Sequence, residues 1–293
     1  MTWKPIQLED KPIFNALFFE DPPTISELTF TNLFMWRHRN HPVWKLEHDC
    51  LLIVMQPQQE QSYGLQPVGK GNKEKALKAV FAYLESFSAN PFIGRVSEDF
   101  VDRYVDLSCY QVVEDPANSD YVYLAKELID LPGNRFHKKR NHVNKFMKSY
   151  EFQYRPLTTN LVDCFLRLQE DWCELRNCAE DPDLAHEDRA VYEALIHMEE
   201  LDFKGGAILI DSRVEAFSLG EYLNRDTVVI HIEKANPHIP GLYAAINNLF
   251  CKETWADATY INREQDLGIE GLRRAKESYH PHHKVKKFIV TRR

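Results

Sequence analysis

Apolar positions recur at two different spacings along this chain. Between Asn72 and Phe87, Ala76, Val80, Leu84 and Phe87 share one helical face, and Asn72 is placed to cap it. Leu161–Leu175 repeats the pattern with Leu161, Phe165, Leu168, Trp172 and Leu175. Lys11–Phe19, Ser26–Trp36 (capped by Ser26), Ser97–Val105, Asn134–Tyr150, Asp188–Leu201, Leu242–Thr254 and Ile269–Tyr279 also read as helices, and Glu180–His186 as a loop. Shorter apolar or alternating runs read as strands: Val43–Met55, Ser62–Val68, Phe92–Val96, Tyr110–Glu114, Tyr121–Lys126 and Phe152–Leu157. Three more, Gly206–Ile210, Val214–Leu223 and Thr227–Ala235, are joined by hairpin-like turns, and Thr259–Asn262 and Val285–Val290 complete the set.

The second half therefore runs helix, helix, three antiparallel strands, helix, strand, helix, strand. The first half follows a looser version of the same order. This predicts an α+β (layered α/β) protein made of two divergent copies of one unit, residues 1–150 and 151–293, with mixed, mostly antiparallel sheets.

Composition narrows the class. The chain has 293 residues, 44% hydrophobic and 27% charged, with a net charge of −8. A globular core is expected, and nucleic-acid binding by the whole surface is not. The N-terminus has no signal-peptide pattern, and no run approaches the roughly 18 apolar residues of a membrane span. Cys50, Cys109, Cys164, Cys173, Cys178 and Cys251 lack a short framework and read as free thiols of a cytoplasmic protein.

Polar chemistry concentrates in Val228–Phe288, at the ends of short apolar runs. His231, Glu233 and Lys234 close one strand; Asn262, Arg263, Glu264 and Asp266 follow another; Arg273, Lys276 and Tyr279 lie on the next helix. Alternation puts His231, Glu233 and Ala235 on one face of the strand, and Ile232 and Lys234 on the other. His231 also reads as a core histidine, and Arg263, Glu264 and Asp266 as a structural ion network. The histidines after Tyr279 sit on a Pro-broken segment, and no metal site is expected there. A second unusual stretch, NRFHKKRNHVNKFMKSY, carries Arg135, Lys138, Lys139, Arg140, Lys145 and Lys148 and no acidic residue. It reads either as a solvated helix face or as a grip on a polyphosphate such as tRNA or a nucleotide.

The second-half order resembles the Gcn5-related N-acetyltransferase (GNAT) fold. A strand, the basic helix FHKKRNHVNKFMK and the strand FQYRPL look like the junction between the GNAT-like halves of Fem-type aminoacyl transferases. The runs EAFSLGEYL, VVIHIEKA and YINREQDLGIEGLRRAKESYHP are similar to a bacterial family grouped with the C-terminal domain of phosphatidylglycerol lysyltransferase. The resemblance implies tandem GNAT-like domains, with a cleft between strands Thr227–Ala235 and Thr259–Asn262. It also implies transfer of an acyl or aminoacyl group to an amine or hydroxyl, on a lipid headgroup, a cell-wall precursor or a small molecule. The donor it implies is aminoacyl-tRNA, with no tightly bound cofactor.

Such transfer needs an anchor for the donor's ammonium, a base and oxyanion donors. Glu233, Glu264 and Asp266 are candidate anchors, His231 or Glu233 the candidate base, and Arg263 or Lys234 candidates for the oxyanion or a phosphate. Asn262, Arg273, Lys276 and Tyr279 are candidate substrate contacts. An acyl-coenzyme A donor is the alternative, but the loop KANPHIPG, where such enzymes place a glycine-rich turn, has one glycine and two prolines. A non-catalytic binding module on the same fold is the third reading.

Overall fold

The computed structural model describes residues 2–58 and 60–293. In chain order, the first half contributes β1 (Lys4–Pro5), α1 (Lys11–Glu20), α2 (Phe30–Met35), α3 (Arg37–Asn40), β2 (Val43–Glu47), β3 (Cys50–Met55) and β4 (Tyr63–Gly64). It continues with α4 (Lys73–Glu85), β5 (Phe92–Ser97), α5 (Glu98–Tyr104), β6 (Tyr110–Glu114), β7 (Asp120–Leu124), α6 (Ala125–Asp130) and α7 (His137–Ser149). The second half holds β8 (Gln153–Pro156), α8 (Val162–Arg176), α9 (Pro182–Ile196), α10 (Met198–Leu201), β9 (Lys204–Ile210), β10 (Arg213–Tyr222) and β11 (Thr227–Ala235). It ends with α11 (Leu242–Thr254), β12 (Tyr260–Asn262), α12 (Glu270–Glu277), β13 (His283–Val285) and β14 (Lys287–Arg292).

These strands form two mixed, mostly antiparallel seven-stranded sheets, ordered β1-β2-β3-β4-β5-β14-β6 and β13-β7-β12-β11-β10-β9-β8. Their facing surfaces build one core: Phe14, Phe30, Leu51 and Ile53 pack with Phe165, Val191, Phe217 and Ile232. Each such side chain contributes about 1.5–3 kcal/mol by leaving water. Separate clusters fill the outer faces, beneath α4 on one sheet and beneath α11, α7 and α6 on the other. None of the described helices is long and apolar enough to cross a membrane.

The sheets do not divide at residue 150. β7 precedes that point but lies in the second sheet, and β14 ends the chain in the first. The exchange is tied by a buried ion cluster. Lys287 Nζ on β14 donates to Asp120 on β7 and to Glu27 on the segment before α2, both at 2.6 Å. Asp120 also accepts from the backbone and hydroxyl of Ser26, at 2.9 Å each. Burial raises the Glu27 carboxyl's pKa, while Lys287 works to keep it charged.

Several expectations are corrected. Ser26 caps no helix: α2 starts at Phe30 and Thr29 caps it, while the Ser26 hydroxyl donates to Asp120. Glu180–His186 is not a loop, since Asp181 caps α9 and Pro182 opens it. Val285–Val290 splits into β13 and β14, which join different sheets. Cys173 and Cys178 are not free thiols: the left-handed Asn177 turns the chain back, and the pair is disulfide-bonded at a Cα separation of 5.0 Å.

Lys287→Met should leave Asp120 and Glu27 buried without their cation. A loss of about 3–5 kcal/mol in the urea midpoint stability is expected; an unchanged midpoint would refute the cluster's role.

Candidate functional site

β11 and β12 run parallel and pair only from Thr227 to Val229, against Tyr260 to Asn262. Beyond that rung they part, and the polar residues of the two segments occupy the opening. A bulge shapes it. On the β10 side, Leu219 pairs with Ile232 and Gly220 with Ile230, so His231 is the extra residue. Ile230 consequently packs in the cluster beneath α11, whereas Ile232 packs in the core between the sheets. The alternation expected for this strand is thus corrected: His231 meets α2 and its cap, while Glu233 meets α11. Glu233 and Lys234 still point to opposite faces.

His231 lies between two carboxylates, with Nδ1 2.9 Å from Glu264 and Nε2 3.0 Å from Glu221. Burial opposes its charge, but hydrogen bonds to Glu221 and Glu264 outweigh that and raise the pKa to about 9. Both ring nitrogens are engaged by carboxylates, so His231 bridges β10 and the segment after β12. Glu264 also accepts from Asn32 at 3.2 Å.

Glu233 stands in a different group. Its two oxygens accept from Arg263 Nη2 at 3.0 Å and Asn247 Nδ2 at 3.1 Å. The Arg263 guanidinium carbon lies 4.9 Å from the centroid of the Tyr279 ring and 5.8 Å from that of Tyr123. Burial opposes the guanidinium's charge, and Glu233 more than compensates. Lys139 of α7 reaches the same place, its ammonium 3.9 Å from the Tyr279 centroid. Burial pushes that ammonium's pKa down to about 8, with Arg263 adding to the fall. The basic helix and the strand cluster therefore meet at Tyr279.

The other candidates lie apart or serve the scaffold. Asp266 accepts from Tyr121 Oη at 2.6 Å, Arg273 Nε at 2.9 Å and the Gly268 amide at 2.8 Å, which secures the turn into α12. Burial works against its charge, but Arg273 and Tyr121 hold its pKa down at about 2. Asn262 donates to Asp120 at 3.0 Å. Lys276 donates to the carbonyls of Arg263 and Glu264, and burial lowers its pKa to about 8. Lys234 pairs with Glu187 at 2.6 Å over the Trp172 ring, on the opposite side of the sheet from Glu233. On α7 and its approach, Arg135 pairs with Glu127, and Arg140 donates to the Leu131 carbonyl at 2.5 Å. Lys138 and Lys145 remain exposed.

Glu221, Tyr123 and Asn247 were missed from the sequence. Only Asn247 carried a signal, as half of an amide pair, Asn247-Asn248, on an otherwise apolar helix. Two open clefts lie away from Glu233: one of about 760 Å³ bordered by Arg155, Asn160 and Asp211, and one of about 410 Å³ bordered by Trp172, Arg213 and His238.

Two sheets, a parallel pair that parts at a bulge and a helix after the bulged strand define a tandem GNAT-like fold of the Fem type. The chain belongs to the phosphatidylglycerol lysyltransferase C-terminal family, whose model matches residues 22–291. A conserved protein of unknown function from Bacteroides thetaiotaomicron VPI-5482 is 31% identical, with all of each chain covered and a TM-score of 0.92. L-PGS from Bacillus licheniformis shares 13% identity at a TM-score of 0.66, over 97% of this chain and 92% of that one. FemX follows at 9% identity and a TM-score of 0.57, over 99% and 97%. Among curated proteins, an uncharacterized protein of Mycoplasmoides gallisepticum is 24% identical over 175 residues, 59% of this chain but only 56% of that protein's length.

The His231 arrangement has a pH signature. Its pKa is about 9 in the folded chain against 6.5 for a free imidazole, so its stabilisation is complete below pH 6.5 and disappears as pH rises through 9. Urea unfolding of wild type and His231→Gln should give a stability difference that shrinks by about 3 kcal/mol across that window. A difference independent of pH would contradict the imidazolium.

Proposed function

We propose that this chain is an aminoacyl transferase that takes its aminoacyl group from aminoacyl-tRNA and passes it to an amine or hydroxyl acceptor. The observation that carries the reading is the meeting of the basic helix α7 with the Glu233–Arg263 pair, through Lys139 over Tyr279. An exposed row of lysines on α7 suits the phosphates of a nucleic-acid donor. Membership of the lysyltransferase family agrees with transfer chemistry. In this reading Glu233 anchors the donor's ammonium and Arg263 faces the oxyanion of the tetrahedral intermediate. The activated ester asks for little more than position and charge.

The loop after β11 favours this donor over acyl-coenzyme A. Pro237 and Pro240 have no amide hydrogen, the His238 amide donates to the Asn236 side chain, and the Ile239 amide donates to the Asn236 carbonyl. Few amides remain to cradle a pyrophosphate. Gly241 has φ +86°, and a Cβ there would lie 2.5 Å from the His142 carbonyl of α7, so the basic helix itself packs against the start of α11.

Filter binding of charged tRNA to the full chain tests the reading. Wild type should bind with an affinity that falls steeply between about 50 and 200 mM salt, and Lys138→Ala/Lys145→Ala should lower the log–log salt slope by roughly 1.5. Absent or salt-independent binding would overturn the proposal. A purified Glu233→Gln variant should keep tRNA binding and lose transfer.

A further inference from the structure

Transfer from an activated ester needs an ammonium anchor, an oxyanion donor and a base, and the transferase reading fills the first two with Glu233 and Arg263. The groups around the opening narrow the third. Glu233 accepts from Arg263 and Asn247 on its two oxygens. His231 stands in the other group, between Glu221 and Glu264. Burial raises the phenols of Tyr123 on β7 and Tyr279 after α12, and pushes the Cys251 thiol on α11 up to about 12, so all three stay protonated at neutral pH. Lys276 donates to the carbonyls of Arg263 and Glu264. Lys139 is the amine left over. Among the described residues it makes no hydrogen bond or ion pair; its Nζ lies 3.9 Å from the Tyr279 centroid. Its side chain is only part-buried, so a second substrate can reach it.

We propose that Lys139 Nζ is the general base of the transfer and takes the proton of the attacking amine or hydroxyl. The inference rests on the transferase reading above and adds the group that starts the reaction. In this step the acceptor's nitrogen or oxygen bonds to the donor's carbonyl carbon, its proton moves to Lys139 Nζ, and the carbonyl electron pair moves to the oxygen facing Arg263. The intermediate then re-forms the carbonyl and breaks the ester C–O bond. Lys139 returns the proton to the departing ribose oxygen of the tRNA. The surrounding charges suit this cycle. The charged groups facing Lys139 are Arg263, which follows β12, and Glu233 on β11. Burial, and then Arg263, bring its pKa from 10.5 down to about 8, while Glu233 works the other way. A base is most effective when its pKa lies near the working pH. Negative charge also forms opposite Arg263 as the proton arrives at Lys139, so the repulsion between the two cations falls as the step proceeds.

The test is release of labelled amino acid from a mixture of charged tRNAs by the full chain, with glycerol as a hydroxyl acceptor that does not itself titrate. It is followed across about pH 6.5 to 9 and corrected for spontaneous loss. The wild-type rate should climb with pH and level off above about 8. Lys139→Met should lose at least about a hundredfold, and the rising limb with it. Lys139→Arg should stay equally slow, because a guanidinium keeps the charge and cannot take up a proton in this range. A thermal melt of each variant shows that it is folded, and both should bind charged tRNA like wild type. Competitive acetylation with trace acetic anhydride, read by mass spectrometry, should give Lys139 a labelling midpoint near pH 8, well below that of an ordinary lysine. Full activity in Lys139→Arg, a pH profile that Lys139→Met leaves unchanged, or a labelling midpoint like that of an ordinary lysine would overturn the base and leave the transferase reading standing. Absence of release by wild type would instead remove the transferase reading, and the base with it.

Discussion

The buried contact of Lys287 with Asp120 and Glu27 is the constraint from which the site geometry follows. An ammonium with no exposed side-chain surface is stable only if its counter-charges are equally fixed. The three residues come from β14, β7 and the segment before α2, so their meeting joins both sheets and the entry to the central core. Asp120 then passes order onward. It accepts from Asn262 Nδ2, and Asn262 Oδ1 in turn accepts the amide of Glu264 at 2.8 Å. That last bond supports Glu264 at φ +57°, a backbone shape that a glutamate adopts only when its surroundings impose it. From there the Glu264 carboxylate reaches His231 at the bulge.

The opening between β11 and β12 is thus held by polar contacts rather than by apolar packing. Its residues sort by whether their donors and acceptors are already taken. His231, Glu264, Asp266 and Asn262 are bonded by neighbours that hold the opening in place. Lys276 braces the segment after β12 by holding two of its carbonyls. Lys139 and one arm of Arg263 stay open, and both sit against Tyr279. A site whose scaffold is saturated and whose remaining donors converge is preorganised, which is what transfer from an activated ester requires.

Much of this was legible locally. Thr227–Ala235 and Leu242–Thr254 end where their periodicity ends, and the basic helix and the polar cluster were both visible as composition. The rest depended on tertiary partners. Ser26 and Thr29 are both good capping residues; Thr29 caps, and Ser26 instead bonds Asp120, 94 positions away. The bulge at His231 leaves no mark in an alternating pattern, yet it separates His231 from Glu233 and so divides one apparent cluster into two. The strand exchange is equally silent, because a short apolar run does not state which sheet it joins. The Asp181-Pro182 start of α9 is a local signal that was readable, and its polar first turn masked it.

Electrostatics also limits how a donor can lie on this surface. Of the five basic residues at Arg135–Lys145 that suggested a phosphate grip, Arg135 and Arg140 are engaged by Glu127 and by backbone carbonyls, and Lys139 turns inward. Lys138 and Lys145 remain on the exposed face, joined by Lys148. On a chain of net charge −8, this narrow basic face is the part of α7 open to a polyanion. On the transferase reading the donor's phosphates therefore track this helix, and its acylated end arrives where Lys139 turns in toward Tyr279. On the same reading Glu233, paired with Arg263 at 3.0 Å, is the carboxylate that the donor's ammonium would meet.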